Sequence, residues 1–156
     1  MTTRRDFILL ACGGALAGPA RAQLAPNIAA LRKAALEEAI RKVVGDAPVR
    51  PGRVRLEVPP LIENGNSVPL AVHVASPMTA AEHVRAIHIF TEKNPQPNVL
   101  SAWLGPRAGR ASVSTRARIA DTGFVTAIAQ LSDGSFWSDS VSVVVTLSAC
   151  LEDGLI

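Results

Sequence analysis

Chemistry in this 156-residue chain has few places to reside: three histidines, two cysteines and scattered carboxylates. His73, His83 and His88 fall at no spacing that sets two on one helix face, and none lies two residues from a cysteine, so no metal site is expected. Leu104-Gly105-Pro106-Arg107-Ala108-Gly109-Arg110 has glycines, but it reads as a strand–turn–strand connection and not as a phosphate loop. Ser132-Asp133-Gly134-Ser135 reads as a hairpin turn and not as a nucleophile elbow. Asp121, Asp133 and Asp139 fall at turns or strand starts, which leaves a two-carboxylate hydrolase without a base. Trp103, Phe136 and Trp137 suit a binding surface, though core or interface packing is the commoner use of such rings. No catalytic apparatus and no bound cofactor are expected, which leaves the two thiols.

Cys12 belongs to a segment expected to be removed. Residues 1–22 read MTTRRDFILLACGGALAGPARA: the pair Arg4-Arg5, a short apolar run, then Ala20-Arg21-Ala22. This is a charged start, a moderately apolar middle and a small-x-small cleavage site, and the arginine pair points to twin-arginine export into the periplasm. The apolar run is too short to span a bilayer, and Gly13, Gly14, Gly18 and Pro19 make it a poor helix. Leu9-Leu10-Ala11-Cys12 offers a lipoprotein box as the alternative, with almost no apolar stretch ahead of it. Cleavage after Ala22 leaves Cys150 as the one thiol of the exported chain.

Cys150 lies in the tail SACLEDGLI, residues 148–156. Thiolate is the reactive form of cysteine, with an ordinary pKa of about 8.5. Glu152, Asp153 and the terminal carboxylate lie close in sequence, and negative neighbours raise a thiol's pKa. Such a cysteine is sluggish alone and needs a positive partner site, which suits a substrate-carrying arm better than a catalyst. The other reading of the same residues is a thiol tucked under the domain or cross-linking two copies.

The elements that must position this tail are read from periodicity. Asn27 is an N-cap for a helix over 28–44, with Ile28, Leu31, Ala35, Ala39, Ile40 and Val43 on one stripe and Gly45 at its end. From residue 53 the period becomes two. Strands are expected at 53–58, 68–74, 84–91, 99–104, 111–120, 124–131 and 135–147, and Pro69 favours an edge position. Seven short strands after one amphipathic helix suggest an all-β fold, an immunoglobulin-like antiparallel β-sandwich without the Cys-Trp-Cys core of antibody domains. Apolar residues make up 48% of the sequence, which with this length implies one domain and excludes a disordered chain. The net charge of +3 falls to +1 without residues 1–22, since Arg4, Arg5, Arg21 and Asp6 leave with them. The remaining arginines lack an aromatic stacking platform, so nucleic acid is not an expected partner. The helix is not basic or aromatic enough to lie on a membrane, so no membrane contact is expected after cleavage.

Several longer runs resemble one family. Besides the leader and the helix, Glu63-Asn64-Gly65, Ser76-Pro77-Met78, IHIFTEKNPQPNV (87–99), LGPRAGRASVSTRARIA (104–120) and SDGSFWSDS (132–140) are similar to SoxY, the carrier of bacterial thiosulfate oxidation. The resemblance implies a periplasmic immunoglobulin-like domain, a heterodimer with the small β-protein SoxZ, and sulfur intermediates held covalently on a C-terminal cysteine for client enzymes. The position that matches is Cys150. The tip departs from the SoxY pattern Gly-Gly-Cys-Gly-Gly: here it is Ser148-Ala149-Cys150-Leu151-Glu152-Asp153-Gly154, bulkier and more acidic. It resembles a SoxY-related subgroup whose arm reads Ala-Ala-Cys-Ile-Glu.

The sequence therefore implies a signal over 1–22, a helix-plus-β domain over 23–147 and an arm over 148–156 with Cys150 as carrier residue. The alternatives are a non-carrying assembly subunit of a periplasmic complex and a redox module that forms transient disulfides through Cys150.

Overall fold

A computed structural model describes residues 27–147. The expected leader with Arg4, Arg5 and Cys12, and the arm with Cys150, lie outside the described residues.

Helix α1 spans Ile28–Val44. Asn27 Oδ1 accepts from the Ala30 amide at 3.3 Å, and Gly45 closes the helix at φ 62° with its N–H on the Arg41 carbonyl. Both caps fall where the sequence places them. The buried face is different. Leu36, Ala39, Ile40, Val43 and Val44 pack on Phe90, Ile128 and Phe136, whereas Ile28 and Leu31 stay 42% and 57% exposed. Leu31 and Leu36 stand about 140° apart at 100° per residue, so the expected stripe merges two faces, of which the sheet takes one.

Nine strands follow: β1 Val49–Pro51, β2 Val54–Glu57, β3 Leu61–Ile62, β4 Val68–Val74, β5 Val84–Thr91, β6 Asn98–Trp103, β7 Ser112–Ala117, β8 Gly123–Leu131 and β9 Phe136–Val145. The large sheet runs β1-β9-β8-β5-β6 with β3 also on β9, and the small sheet runs β2-β4-β7. The chain is thus mostly β with one N-terminal helix.

The expected strand at 53–58 is shorter and has two unforeseen neighbours. Chain 49–62 runs along the free edge of β9, pairing parallel as β1 (Val49↔Phe136) and again as β3 (Leu61↔Val144). Between them it crosses to the small sheet as β2, antiparallel to β4 (Leu56↔Val72). Gly52 at φ 102° and Arg53 at φ 56° make the first crossing, and Pro59-Pro60 occupy the second. Two parallel pairings therefore break the wholly antiparallel expectation. Pieces of three and two residues carry no period to read.

Asp139 lies inside β9 and not at a strand start, and its Oδ2 accepts the Leu56 amide at 2.8 Å, joining the two sheets. Pro69 sits in the middle strand of the small sheet, yet β2 pairs only from Ala71 onward, so locally it is at an edge. The main core draws Leu56, Leu70 and Val72 from the small sheet and Ile87, Ile89, Val125 and Val143 from the large one.

Candidate functional site: the base of the C-terminal arm

β9 delivers the chain to the point where the arm begins. Its register with β8 holds to Val143↔Gly123, and the last residues are then taken up by side chains and loops. The Val145 amide donates to Thr122 Oγ1 at 2.9 Å. The Thr146 amide donates to the Ile62 carbonyl at 2.9 Å, and its hydroxyl reaches the Glu63 carbonyl at 3.2 Å. The Gly65 amide donates to the Leu147 carbonyl at 3.1 Å.

The loop that receives these bonds is itself anchored. Asn64 Oδ1 accepts the Asn66 amide at 2.9 Å, a local turn that asparagine favours. The Gly65 carbonyl accepts from Ile119, and Arg118 reaches Asn66 Oδ1 while Arg116 reaches the Ser67 carbonyl. Behind them Asn94, 9% exposed, donates to the Arg118 carbonyl and accepts the Ala120 amide, both at 2.8 Å. Glu63-Asn64-Gly65 and Asn94, both within the runs that carry the resemblance, thus belong to the mount of the arm.

Around this mount the surface is apolar. Leu61 and Val144 are register partners at 59% and 50% exposure, Leu147 is 67% exposed, and Phe124, opposite Ser142, is 54% exposed.

The histidines stand apart from it. His88 is 6% exposed on the face it shares with Phe90, its Nδ1 2.8 Å from Ser101 Oγ and its ring edge-on to Trp103. Burial holds its pKa below the ordinary value. His73 is exposed, as its strand phase implies, 3.0 Å from Ser112 Oγ and 3.8 Å from Glu57. This Ser–His–Glu chain, unforeseen in the sequence because three strands build it, lies open on the outer face of the small sheet. Asp133 is held below the usual carboxylate range by hydrogen bonds from Ser135. Among the described residues no three His, Cys, Asp or Glu side chains gather as a metal site requires. No described helix is long and apolar enough to cross a membrane.

Of the three rings, Phe136 is buried under α1. Trp137 is half-buried with Arg50 and Arg53 5.8 and 5.5 Å from its centroid, and Trp103 is 76% exposed.

Fold and site define a small two-sheet protein whose last strand leads, through an anchored Thr146-Leu147, to the sequence that contains Cys150. A model of the SoxY family, "Sulfur oxidation protein SoxY", matches residues 40–150, a stretch that ends at Cys150. Among solved structures, the sulfur carrier protein SoxY from Chlorobium limicola f thiosulfatophilum is similar at TM-score 0.61 and 30% identity, over 73% of this chain and 98% of that one. The superoxide reductase (neelaredoxin) of Ignicoccus hospitalis is similar at 0.53 and 18%, over 60% and 80%. That of Nanoarchaeum equitans is similar at 0.51 and 10%, over 62% and 100%. At these identities the reductases share the fold alone. No curated protein matches the chain. The chain belongs to the SoxY family, and by family identity it is not an enzyme.

Proposed function

We propose that this protein is a periplasmic sulfur carrier that holds a sulfur-containing intermediate covalently on Cys150 while partner enzymes act on it. The observation that carries this reading is the family match that ends at Cys150, three residues beyond Leu147, whose carbonyl accepts the Gly65 amide. Three extended residues reach about 10 Å, so clients must bring their active sites close to the domain.

Loading fits the chemistry of a lone thiol. Joining a thiol to the outer sulfur of a thiosulfate-type anion forms one S–S bond and releases one proton and two electrons. A single thiol takes up neither electron, so a client redox enzyme accepts both. A bulky, acidic tip calls for a client whose site is roomier and more positive than a glycine tip needs.

The leader with Arg4 and Arg5 supports twin-arginine export, and cleavage after Ala22 gives a soluble form beginning at Gln23. The two sheets with a shared core support an immunoglobulin-like reading of the domain, and the tip around Cys150 supports placement in the Ala-Ala-Cys-Ile-Glu subgroup. A SoxZ-like β-protein is the proposed heterodimer partner, and the apolar surface of Leu61, Val144 and Phe124 beside the arm is the place proposed for it. The test is a strain carrying Cys150→Ser: it loses sulfur oxidation while the purified protein keeps its fold and its partner. Undiminished oxidation by that strain promotes the assembly-subunit reading in its place.

A further inference from the structure

The hollow beside the 64–67 loop is polar, and no carboxylate lines it. It holds about 480 Å³ between the 94–99 segment and the end of β7, with Asn94, Gln96, Asn98, Arg116 and Arg118 among its walls. Arg116 and Arg118, two residues apart, are both exposed and both border this hollow. The loop that receives Leu147 fixes where they point. Arg116 Nη1 donates to the Ser67 carbonyl and hydroxyl at 3.2 and 3.4 Å, and Arg118 Nη2 donates to Asn66 Oδ1 at 3.4 Å. Both bonds of Arg116 leave from one nitrogen, and a guanidinium carries five N–H donors, so the rest of that fork is left for a ligand. The opposite wall is built in advance. The Thr91 amide donates to the Pro97 carbonyl at 2.9 Å, and Asn94 is clamped to Arg118 and Ala120. Glu92, the acid nearest that wall in sequence, is turned to the Phe124 amide.

We propose that this hollow is a binding site for a tetrahedral oxyanion, the class to which sulfate, thiosulfate and a sulfonate-ended sulfur cargo belong. Two guanidiniums beside neutral amides, with no acid on the walls, select an anion by charge. The three oxygens of such a group accept from both arginines at once, whereas the two oxygens of a carboxylate match a single fork. The walls are held before the ligand arrives, so little ordering opposes binding. The position gives the site two sources of ligand. A free anion enters from solvent. A group carried on Cys150 is also within range, because Leu147 is bonded to Gly65, the neighbour of the Asn66 that Arg118 meets, and three extended residues span about 10 Å. The site stands on the described residues and not on the carrier reading.

The test titrates thiosulfate into the isotope-labelled full exported chain with Cys150→Ser and follows it by nuclear magnetic resonance. Saturable shifts are expected at the Gln96 and Ala117 amides and at the Nε–H signals of Arg116 and Arg118, while chloride at matched ionic strength leaves them in place. Arg116→Gln is expected to weaken binding by about tenfold or more, with the circular dichroism spectrum unchanged. Gln96→Glu puts a negative charge on the rim without touching the bonds around Leu147, and it weakens binding as well. Loading Cys150 of the unsubstituted chain with tetrathionate separates the two sources. The thiolate attacks an inner sulfur, one S–S bond forms as another breaks, thiosulfate leaves, and Cys150 then ends in a sulfonate. If the site serves the carried group, the loaded protein shows the shifts unaided and no longer responds to thiosulfate. If it serves a free anion, the loaded protein titrates as Cys150→Ser does. Shifts that chloride reproduces, that never saturate, or that survive both Arg116→Gln and Gln96→Glu overturn the proposal. None of these titrations depends on carriage in the cell, so the site and the carrier reading fail separately.

Discussion

The amide of Gly65 donates to the carbonyl of Leu147 at 3.1 Å, so the last described residue before the cysteine tail is fastened to a loop eighty residues earlier. Thr146 adds its amide and hydroxyl to the carbonyls of Ile62 and Glu63. Residues 146 and 147 are therefore held to the domain beyond the end of β9. Amide exchange at Thr146 and Gly65 is expected to be slow despite their closeness to the tail. Thr146→Val removes the hydroxyl bonds at a cost of about 1 kcal/mol or less and speeds exchange at Gly65, leaving β5 and β8 unchanged. Equal exchange in both proteins contradicts the pinning.

Asn94 ties the 118–120 segment behind the same loop. Asn94→Ala leaves the Ala120 amide and the Arg118 carbonyl without their partner, the first of them in a buried residue. A loss of about 2 kcal/mol in denaturant unfolding is expected. A change within a few tenths of that unit shows that the clamp contributes nothing.

His88 gives the protein an acid-sensitive term. Its folded pKa lies below the ordinary value because burial disfavours the charged ring. The unfolded chain takes up its proton near pH 6.5, so this contribution is complete above that pH and drains away as pH falls toward the folded value. His88→Gln keeps a polar group near Ser101 and is expected to flatten the stability difference between pH 7 and pH 5. Parallel curves for the two proteins contradict the assignment.

Leu61→Lys and Val144→Lys change exposed side chains on the rim of β3 and β9, so unfolding midpoints are expected to stay within about 0.5 kcal/mol. Affinity for a SoxZ-like subunit is expected to fall at least tenfold, measured by titration calorimetry. Unchanged affinity moves the partner to another face.

What could be read from sequence divides along physical lines. Asn27 and Gly45 mark their helix because capping is local, and Val68–Val74 marks its strand because one face is buried. Val49–Pro51 and Leu61–Ile62 do not, since they exist only as the two ends of a chain that leaves β9 and returns. Asp139 looks like a turn residue until Leu56 is seen to donate to it from the other sheet. Ile28 and Leu31 satisfy helical periodicity, but which stripe meets the sheet is settled by Phe90, Ile128 and Phe136. Cys150 stands out by elimination, whereas its mount at Gly65, Asn94 and Thr146 is visible only once four distant segments meet.

The central claim is covalent carriage on Cys150, and intact mass spectrometry of the protein isolated from its native periplasm tests it most directly. The account predicts a chain beginning at Gln23 with added masses of sulfur or oxidised sulfur that map to Cys150, vanish on reduction and are absent from Cys150→Ser. A population at the unmodified mass under sulfur-oxidising growth, or additions that survive Cys150→Ser, contradicts it.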